Sequence, residues 1–343
     1  MTTSPPSSST AAASTHRAGR NGAGPDQRLR ADGLRVGYDE RTIIDDLQVQ
    51  IPDRSLTVIV GPNACGKSTL LRSLSRLLKA THGSVLLDGR DVHSYGGKEF
   101  AREIGLLPQQ SLAPEGITVV DLVARGRFPY QKLFRQWTDD DEAAVHRALS
   151  ATRLLDLSTR PVEALSGGQR QRVWIAMALA QETPILLLDE PTTYLDLAHQ
   201  LEILELCARL NAEGRTMIAV LHDLNQAARY GTHLIAMRGG AIVAQGTPHE
   251  VVTAEHVEAV FGVRSRVVDD PETGTPMVIP LAEGAVQSAT LPGDTANLRA
   301  RQEQRADGAP PATDQDDPGR RPPSADLPAA APSRTTPQEE GRS

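Results

Sequence analysis

The amino-acid sequence predicts an α/β fold with a mainly parallel central sheet, on three observations. Short, nearly continuous apolar runs at Leu56 to Val60, Ile185 to Leu188 and Met217 to Leu221 alternate with longer stretches of helical spacing. Strands of this composition are covered on both faces, as parallel strands are. The first run ends in GPNACGKS and the second in the adjacent acids Asp189 and Glu190, so both deliver polar chemistry at a strand end.

The elements follow in chain order. Met1 to Arg28 contains no Val, Ile, Leu or aromatic residue and cannot bury enough apolar surface to fold, which predicts a disordered tail over 1–28. Leu34 to Tyr38 and Leu47 to Ile51 alternate as half-buried strands do, suggesting a small antiparallel sheet beside the core. After Gly66, Leu70, Leu74, Leu77 and Leu78 share one helical face, and Thr81 to Gly83 closes that helix. Between Asp91 and Leu165 the pattern turns helical with few strand signals, suggesting a helical subdomain, about 92–175, inserted into the core. Leu234 to Met237 and Ala241 to Ala244, separated by Arg238, Gly239 and Gly240, read as a hairpin. The principal domain is expected over 29–265 with an extension over 266–283; from Gly284 to Ser343, Ala, Pro, Gly and polar residues predict a second disordered tail.

Composition excludes several classes. No apolar run approaches the roughly 18 to 20 residues that a membrane-spanning helix requires, and no segment resembles a signal peptide, so a cytoplasmic protein is expected. Cys65 and Cys207 lie far apart and form no CxxC pair, which argues against a disulfide framework or zinc site. A formal net charge of -7 argues against nucleic acid as a partner.

Gly61 to Ser68 matches G-x-x-x-x-G-K-[ST] between a strand and an amphipathic helix. Gly61 and Gly66 let the backbone through Pro62, Asn63, Ala64 and Cys65 turn its amides toward phosphate oxygens at a helix N-terminus. Lys67 supplies charge to the β- and γ-phosphates of a nucleotide, Ser68 a hydroxyl to Mg²⁺, and Thr69 a further phosphate contact. In ILLLDEP, alternation along an extended backbone would aim Asp189 at Mg²⁺ and Glu190 at the attacking water, although paired acids can also cap a following helix.

Leu165 to Arg172 reads LSGGQRQR, followed by a helix in which Val173, Ala176, Met177 and Ala180 share a face. LSGGQ resembles the signature of ABC ATPases, and its place between the phosphate loop and ILLLDEP is that family's order. The resemblance implies a P-loop ATPase core with an antiparallel β-subdomain and an inserted α-helical subdomain. It also implies a head-to-tail homodimer, in which Ser166, Gly167, Gly168 and Gln169 of one copy complete the ATP site of the other. Single positions match the family in turn: Tyr38 where an aromatic stacks on adenine, Gln109 in LLPQQ as the glutamine reaching Mg²⁺ and the water, Asp196 in TTYLD at the partner subunit, and His222 as the histidine that bonds the γ-phosphate and holds Glu190. Taken without the resemblance, Tyr38 reads as core packing, His222 as structural, and Gln110 competes with Gln109.

A narrower resemblance concerns cargo. GPNACGKSTLLRSLSRLL, GITVVDLVARGRFPYQKLFRQW, PTTYLDLAHQLEIL and LHDLNQAARY are similar to the ATPases of ferric-siderophore importers, relatives of cobalamin and haem importers. That likeness implies separate transmembrane permease subunits, a substrate-binding protein acting through them, and a place on the cytoplasmic face of the membrane. Arg125, Arg127, Phe128 and Tyr130 are then expected to form the groove for a permease helix. An exporter remains open, as does a non-transport ABC ATPase. Against the latter, Lys67 to Ser166 is short and lacks the heptads of a long coiled coil. Cys65, within the phosphate loop, is expected to make hydrolysis sensitive to alkylation and MgATP to protect it.

Overall fold

The computed structural model describes residues 27–39, 41–109, 113–131, 137–193 and 195–281. The expected tail over 284–343 lies wholly outside these residues, and that over 1–28 does so except for residues 27 and 28. Arg28, grouped with the tail by composition, is anchored: its amide donates to Asp53 at 3.1 Å and its guanidinium reaches Asp88 and Glu103 at 2.6 and 2.7 Å.

The elements are β1 (Leu29–Tyr38), β2 (Arg41–Ile51), β3 (Leu56–Val60), α1 (Lys67–Leu74), β4 (His82–Leu87), β5 (Arg90–Asp91), α2 (Gly97–Glu103), β6 (Ile104–Leu107), α3 (Val119–Ala124), α4 (Asp139–Ala151) and α5 (Gly167–Ala180). They continue with β7 (Ile185–Asp189), α6 (Leu197–Ala212), β8 (Thr216–Val220), α7 (Leu224–Tyr230), β9 (His233–Arg238), β10 (Ala241–Gly246), α8 (Pro248–Val251), α9 (Ala254–Phe261), β11 (Ser265–Asp269) and β12 (Pro276–Pro280). Among the described residues one sheet runs β2-β1-β4-β5 and is antiparallel. A second runs β10-β9-β3-β8-β7-β6, parallel except where β10 turns back on β9, and a third pairs β11 with β12 antiparallel.

Side chains alternate across a strand, and the parallel sheet uses both faces. Val58, Leu186, Leu188, Met217 and Ala219 enter one core with α3, α4, α5 and α6. Ile59, Ile185, Leu187, Ile218 and Val220 enter a second, closed by α1 and the antiparallel sheet through Leu34, Val36, Ile44 and Val85. Burying each such aliphatic side chain is worth about 1.5–3 kcal/mol relative to exposure, so two cores on one sheet account for its position at the centre.

Two local readings change. The helix after the phosphate loop stops at Leu74 instead of running through Leu78. The Ser73 and Ser75 hydroxyls bond carbonyls of their own helix, Arg76 adopts a φ of 65°, and the Leu77 and Leu78 amides both close onto the Arg72 carbonyl. Leu77 consequently points outward, 65% exposed. Ile104 to Leu107, placed by pattern within a helical insertion, is a strand of the central sheet, pairing in parallel with Ile185 to Leu188. A four-residue apolar run carries no period by which to tell the two apart.

Around α3, α4 and α5 the helical layer is tied by a buried cation. Arg127, 4% exposed, bonds Asp141 at 2.9 Å, Glu182 at 3.0 Å and the Ala180 carbonyl at 2.9 Å, and stacks on Tyr130. The groove expected from Arg125, Arg127, Phe128 and Tyr130 therefore splits: Arg125 and Phe128 line an open cleft with Trp137, while Arg127 and Tyr130 are held inward.

Candidate active site

The C-terminal ends of three adjacent strands, β3, β7 and β8, bring the site together. At the end of β3 the chain makes the phosphate-loop turn through Gly61, at φ 152°, and Gly66, at φ 108°. A Cβ at Gly61 would stand 2.2 Å from the Met237 carbonyl oxygen, so only glycine passes there. Lys67, 5% exposed, opens α1 and folds back, its ammonium donating to the Gly61 and Pro62 carbonyls at 2.9 Å each. Its charge is thus kept at the mouth of the loop on neutral acceptors.

One residue on, the Ser68 hydroxyl donates to Asp189 Oδ1 at 3.0 Å, joining α1 to the end of β7. Asp189 is 3% exposed, and burial pushes its carboxyl above the ordinary value against the Ser68 hydrogen bond and the Arg72 charge. Glu190 behaves oppositely. Burial alone would raise it, but His222 Nε2 at 2.9 Å from Oε1, with hydrogen bonds from Thr193 at 3.1 Å and Gln109 at 2.7 Å to Oε2, holds it below the ordinary value. The two acids diverge for a reason other than strand alternation. Glu190 has a φ of 54°, so the backbone leaves the extended conformation there and swings its carboxylate toward β8 and His222.

Tyr38, 42% exposed at the end of β1, accepts a hydrogen bond from Arg72 at 3.4 Å. Beside it opens a cleft of about 260 Å³ lined by Tyr38, Arg41, Asn63, Ala64, Lys67 and Glu190, with Gly66, Ser68 and Thr69 on its wall. Cys65 belongs instead to the second core, 4% exposed, and burial raises its thiol against the pull of Lys67. The expected thiol sensitivity is corrected accordingly: the sulfur faces Gly61 from inside the loop, away from reagents.

Ser166 to Gln169 do not line that cleft. Ser166 caps α5 reciprocally with Gln169: the Gln169 amide donates to Ser166 Oγ at 3.3 Å and the Ser166 amide to Gln169 Oε1 at 3.0 Å. Asp196 caps α6 and accepts from both the amide and the ring Nδ1 of His199, at 3.0 and 2.7 Å. The His199 ring presses on Gly168, where a Cβ would meet it at 2.5 Å. The signature and the Asp196 loop therefore form a second cluster, linked to the first where Gln171 bonds the Pro191 carbonyl at 3.1 Å.

Comparison with known proteins bears on this arrangement. The sequence profile of the ABC transporter family matches residues 44–193. The ferric enterobactin transport ATP-binding protein FepC of Escherichia coli (strain K12) is 56% identical over 263 residues, covering 76% of this chain and 97% of that protein. The chain belongs to the ABC transporter family as an ATP-binding protein. A second relative, the probable siderophore transport system ATP-binding protein YusV of Bacillus subtilis (strain 168), is 54% identical over 75% of this chain and 94% of its own. Among solved structures, the dimeric MJ0796, a bacterial ABC transporter cassette, superposes with a TM-score of 0.57 at 28% identity, covering 64% of this chain and 98% of that one. No helix among the described residues of this ABC protein is long and apolar enough to cross a membrane.

Of the residues singled out in the sequence, the structure gathers the phosphate loop, Gln109, Asp189, Glu190, His222 and Tyr38 at one place and Ser166 to Gln169 with Asp196 at another. Gln110, the competitor of Gln109, lies outside the described residues. Three residues went unnoticed: Thr193, Arg72 and His199. Arg72 carried a signal, since it lies four residues after Ser68 on α1 and hence on the same face. Thr193 and His199 carried none, because their roles depend on the turn at Glu190 and on the packing of α5 against α6. A divalent cation fits the donor set: a serine hydroxyl and a buried carboxylate whose charge burial disfavours, both hard oxygen ligands, meet at the loop.

Proposed function

We propose that this chain is the ATP-hydrolysing subunit that powers an importer of ferric siderophores. The observation that carries hydrolysis is Glu190: an ionised carboxylate fixed by His222, Gln109 and Thr193 on the rim of a cleft walled by Lys67 and Ser68.

The residues then act as follows. Lys67 exchanges the Gly61 and Pro62 carbonyls for β- and γ-phosphate oxygens, the loop amides donate to the rest, and Tyr38 offers its face to adenine. Ser68, Asp189 and Gln109 would hold Mg²⁺, which when bound would neutralise charge on the phosphates. Glu190 orients the attacking water and draws on its proton, and His222 keeps Glu190 aimed while sensing the γ-phosphate. No covalent bond to the protein is formed.

Ser166 to Gln169 offer a helix N-terminus away from the cleft, which supports two copies facing each other, each signature closing the other's nucleotide. The dimeric MJ0796 cassette supports the same arrangement. The siderophore cargo is supported by FepC and YusV, whose names specify ferric enterobactin and siderophore transport and which align over nearly their whole lengths. Separate permease subunits, a substrate-binding protein acting through them and a peripheral place on the cytoplasmic side of the membrane follow from that reading.

The test is Glu190→Gln in the full chain. Turnover is expected to fall about 10²–10⁴-fold while ATP binding persists, and MgATP should drive the variant into a stable dimer by sedimentation. Unchanged turnover would refute hydrolysis by this site. For the cargo, a strain lacking the gene is expected to lose growth on single ferric siderophores and regain it with the native chain but not with the variant.

A further inference from the structure

Strand β8 hands the chain through Leu221 to His222, and Asp223 caps α7, its carboxylate accepting from the Gln226 amide at 2.9 Å. Any rotation of α7 about its axis therefore moves the histidine that stands 2.9 Å from Glu190. Two amide side chains at the start of this helix reach in different directions. Asn225 Nδ2 donates to the Val278 carbonyl at 3.2 Å and its Oδ1 accepts from the Val278 amide at 2.7 Å. It thus treats β12 as a neighbouring strand would, pairing main-chain groups on the edge that β11 leaves over.

At the end of α7, Arg229 pairs with Asp270, in the turn between β11 and β12, at 2.9 Å. In the other direction Gln226 donates to Gln200 Oε1 at 2.8 Å, and Gln200 donates to the Leu195 carbonyl at 3.0 Å, one residue before Asp196. Apolar contact alone would hold the hairpin, since Val267 and Val278 pack on the first core. What the amides add is direction, because a reciprocal pair fixes rotation where apolar contact does not.

We propose that Asn225 and Gln226 are positioning residues for hydrolysis: α7 is a strut that holds His222 against Glu190 and ties it to the Asp196 loop, with the β11–β12 hairpin as its anchor. The inference rests on the hydrolytic reading above. It makes the C-terminal hairpin a determinant of turnover although it does not line the nucleotide cleft.

The test compares Asn225→Ala, Asn225→Asp, Gln226→Ala and Glu190→Gln in the full chain, by steady-state ATP hydrolysis and amide hydrogen exchange. Asn225→Ala and Gln226→Ala should each lower kcat about tenfold and leave KM for ATP within about twofold, as expected of lost alignment without lost binding. Asn225→Asp, which keeps the acceptor for the Val278 amide, should recover part of the loss. Exchange should quicken at β12 and residues 222–224 in Asn225→Ala, and at residues 195–199 in Gln226→Ala, with the phosphate loop unchanged. Gln226→Ala leaves the hairpin contacts intact and decides the matter should Asn225→Ala fail to fold. Faster exchange at β12 or residues 195–199 with unaltered kcat, or a rise in KM alone, would overturn the strut while leaving the hydrolytic reading in place. Native turnover in Glu190→Gln would overturn both.

Discussion

Asp189 and Glu190 are covalent neighbours that the fold drives in opposite directions. Asp189 is buried with one hydrogen bond, from Ser68, while Glu190 collects three partners that favour its charge. A carboxyl held below its ordinary value stabilises the folded state above that value and loses the effect as pH falls through the folded-state value. Acid titration of the native chain against Glu190→Gln should therefore show the native advantage shrinking as pH drops below the usual glutamate range. For Asp189 the sign reverses, because its raised value opposes folding once pH climbs past the ordinary aspartate range. Asp189→Asn, which can still accept from Ser68, is expected to melt at or above the native temperature without nucleotide and to lose the stabilisation that MgATP gives. A lower melting point would show that the carboxylate's charge is needed for the fold. Both acids were legible in the sequence by type and place. Their divergence was expected from strand alternation, but its cause was not legible, because it arises from the left-handed backbone at Glu190, which no residue type announces.

Between elements, Gly168 of α5 lies close under the ring of His199 of α6. Gly168→Ala should displace that ring from Asp196 and lower turnover, and adding His199→Ala should relieve the clash without restoring the Asp196 anchor. Crystal structures of the two variants check this: the Asp196 loop should move in the first and stay unanchored in the second. Arg127 supplies the contrasting case of a buried charge between α3, α4 and the end of α5. Arg127→Ala removes the cationic partner of Asp141, 6% exposed, and leaves it the hydrogen bonds from Thr138, so a cost of about 3 kcal/mol is expected in urea unfolding. Arg147→Ala, at the 61% exposed end of the same network, should cost under about 1 kcal/mol. Element type was readable where an apolar run was nearly continuous and led into polar chemistry at its end, as in β3 and β7. The reading failed at β6, too short to show a period, and at the end of α1, where serine hydroxyls competing for helix carbonyls decided the length.

Over the whole molecule, one parallel sheet divides two apolar cores, and each holds a cysteine: Cys65 in the core under the antiparallel sheet, Cys207 among the helices. Burial pushes the Cys207 thiol up to about 12, so neither sulfur should react in the folded chain. Because alternate residues of the same strands fill both cores, the two should unfold together. Alkylation in rising urea is expected to label both cysteines at one midpoint; separate midpoints would show two independently stable halves.

The sheet also sorts the site by mechanical freedom. The phosphate loop, Glu190 and His222 leave from β3, β7 and β8, each clamped by strands on both sides, whereas Gln109 leaves from β6, bonded among the described residues to β7 alone. A pull transmitted through the helical layer would hinge that outer strand first, drawing the glutamine off its carboxylate like a pin from a latch while the rest of the machinery kept its alignment.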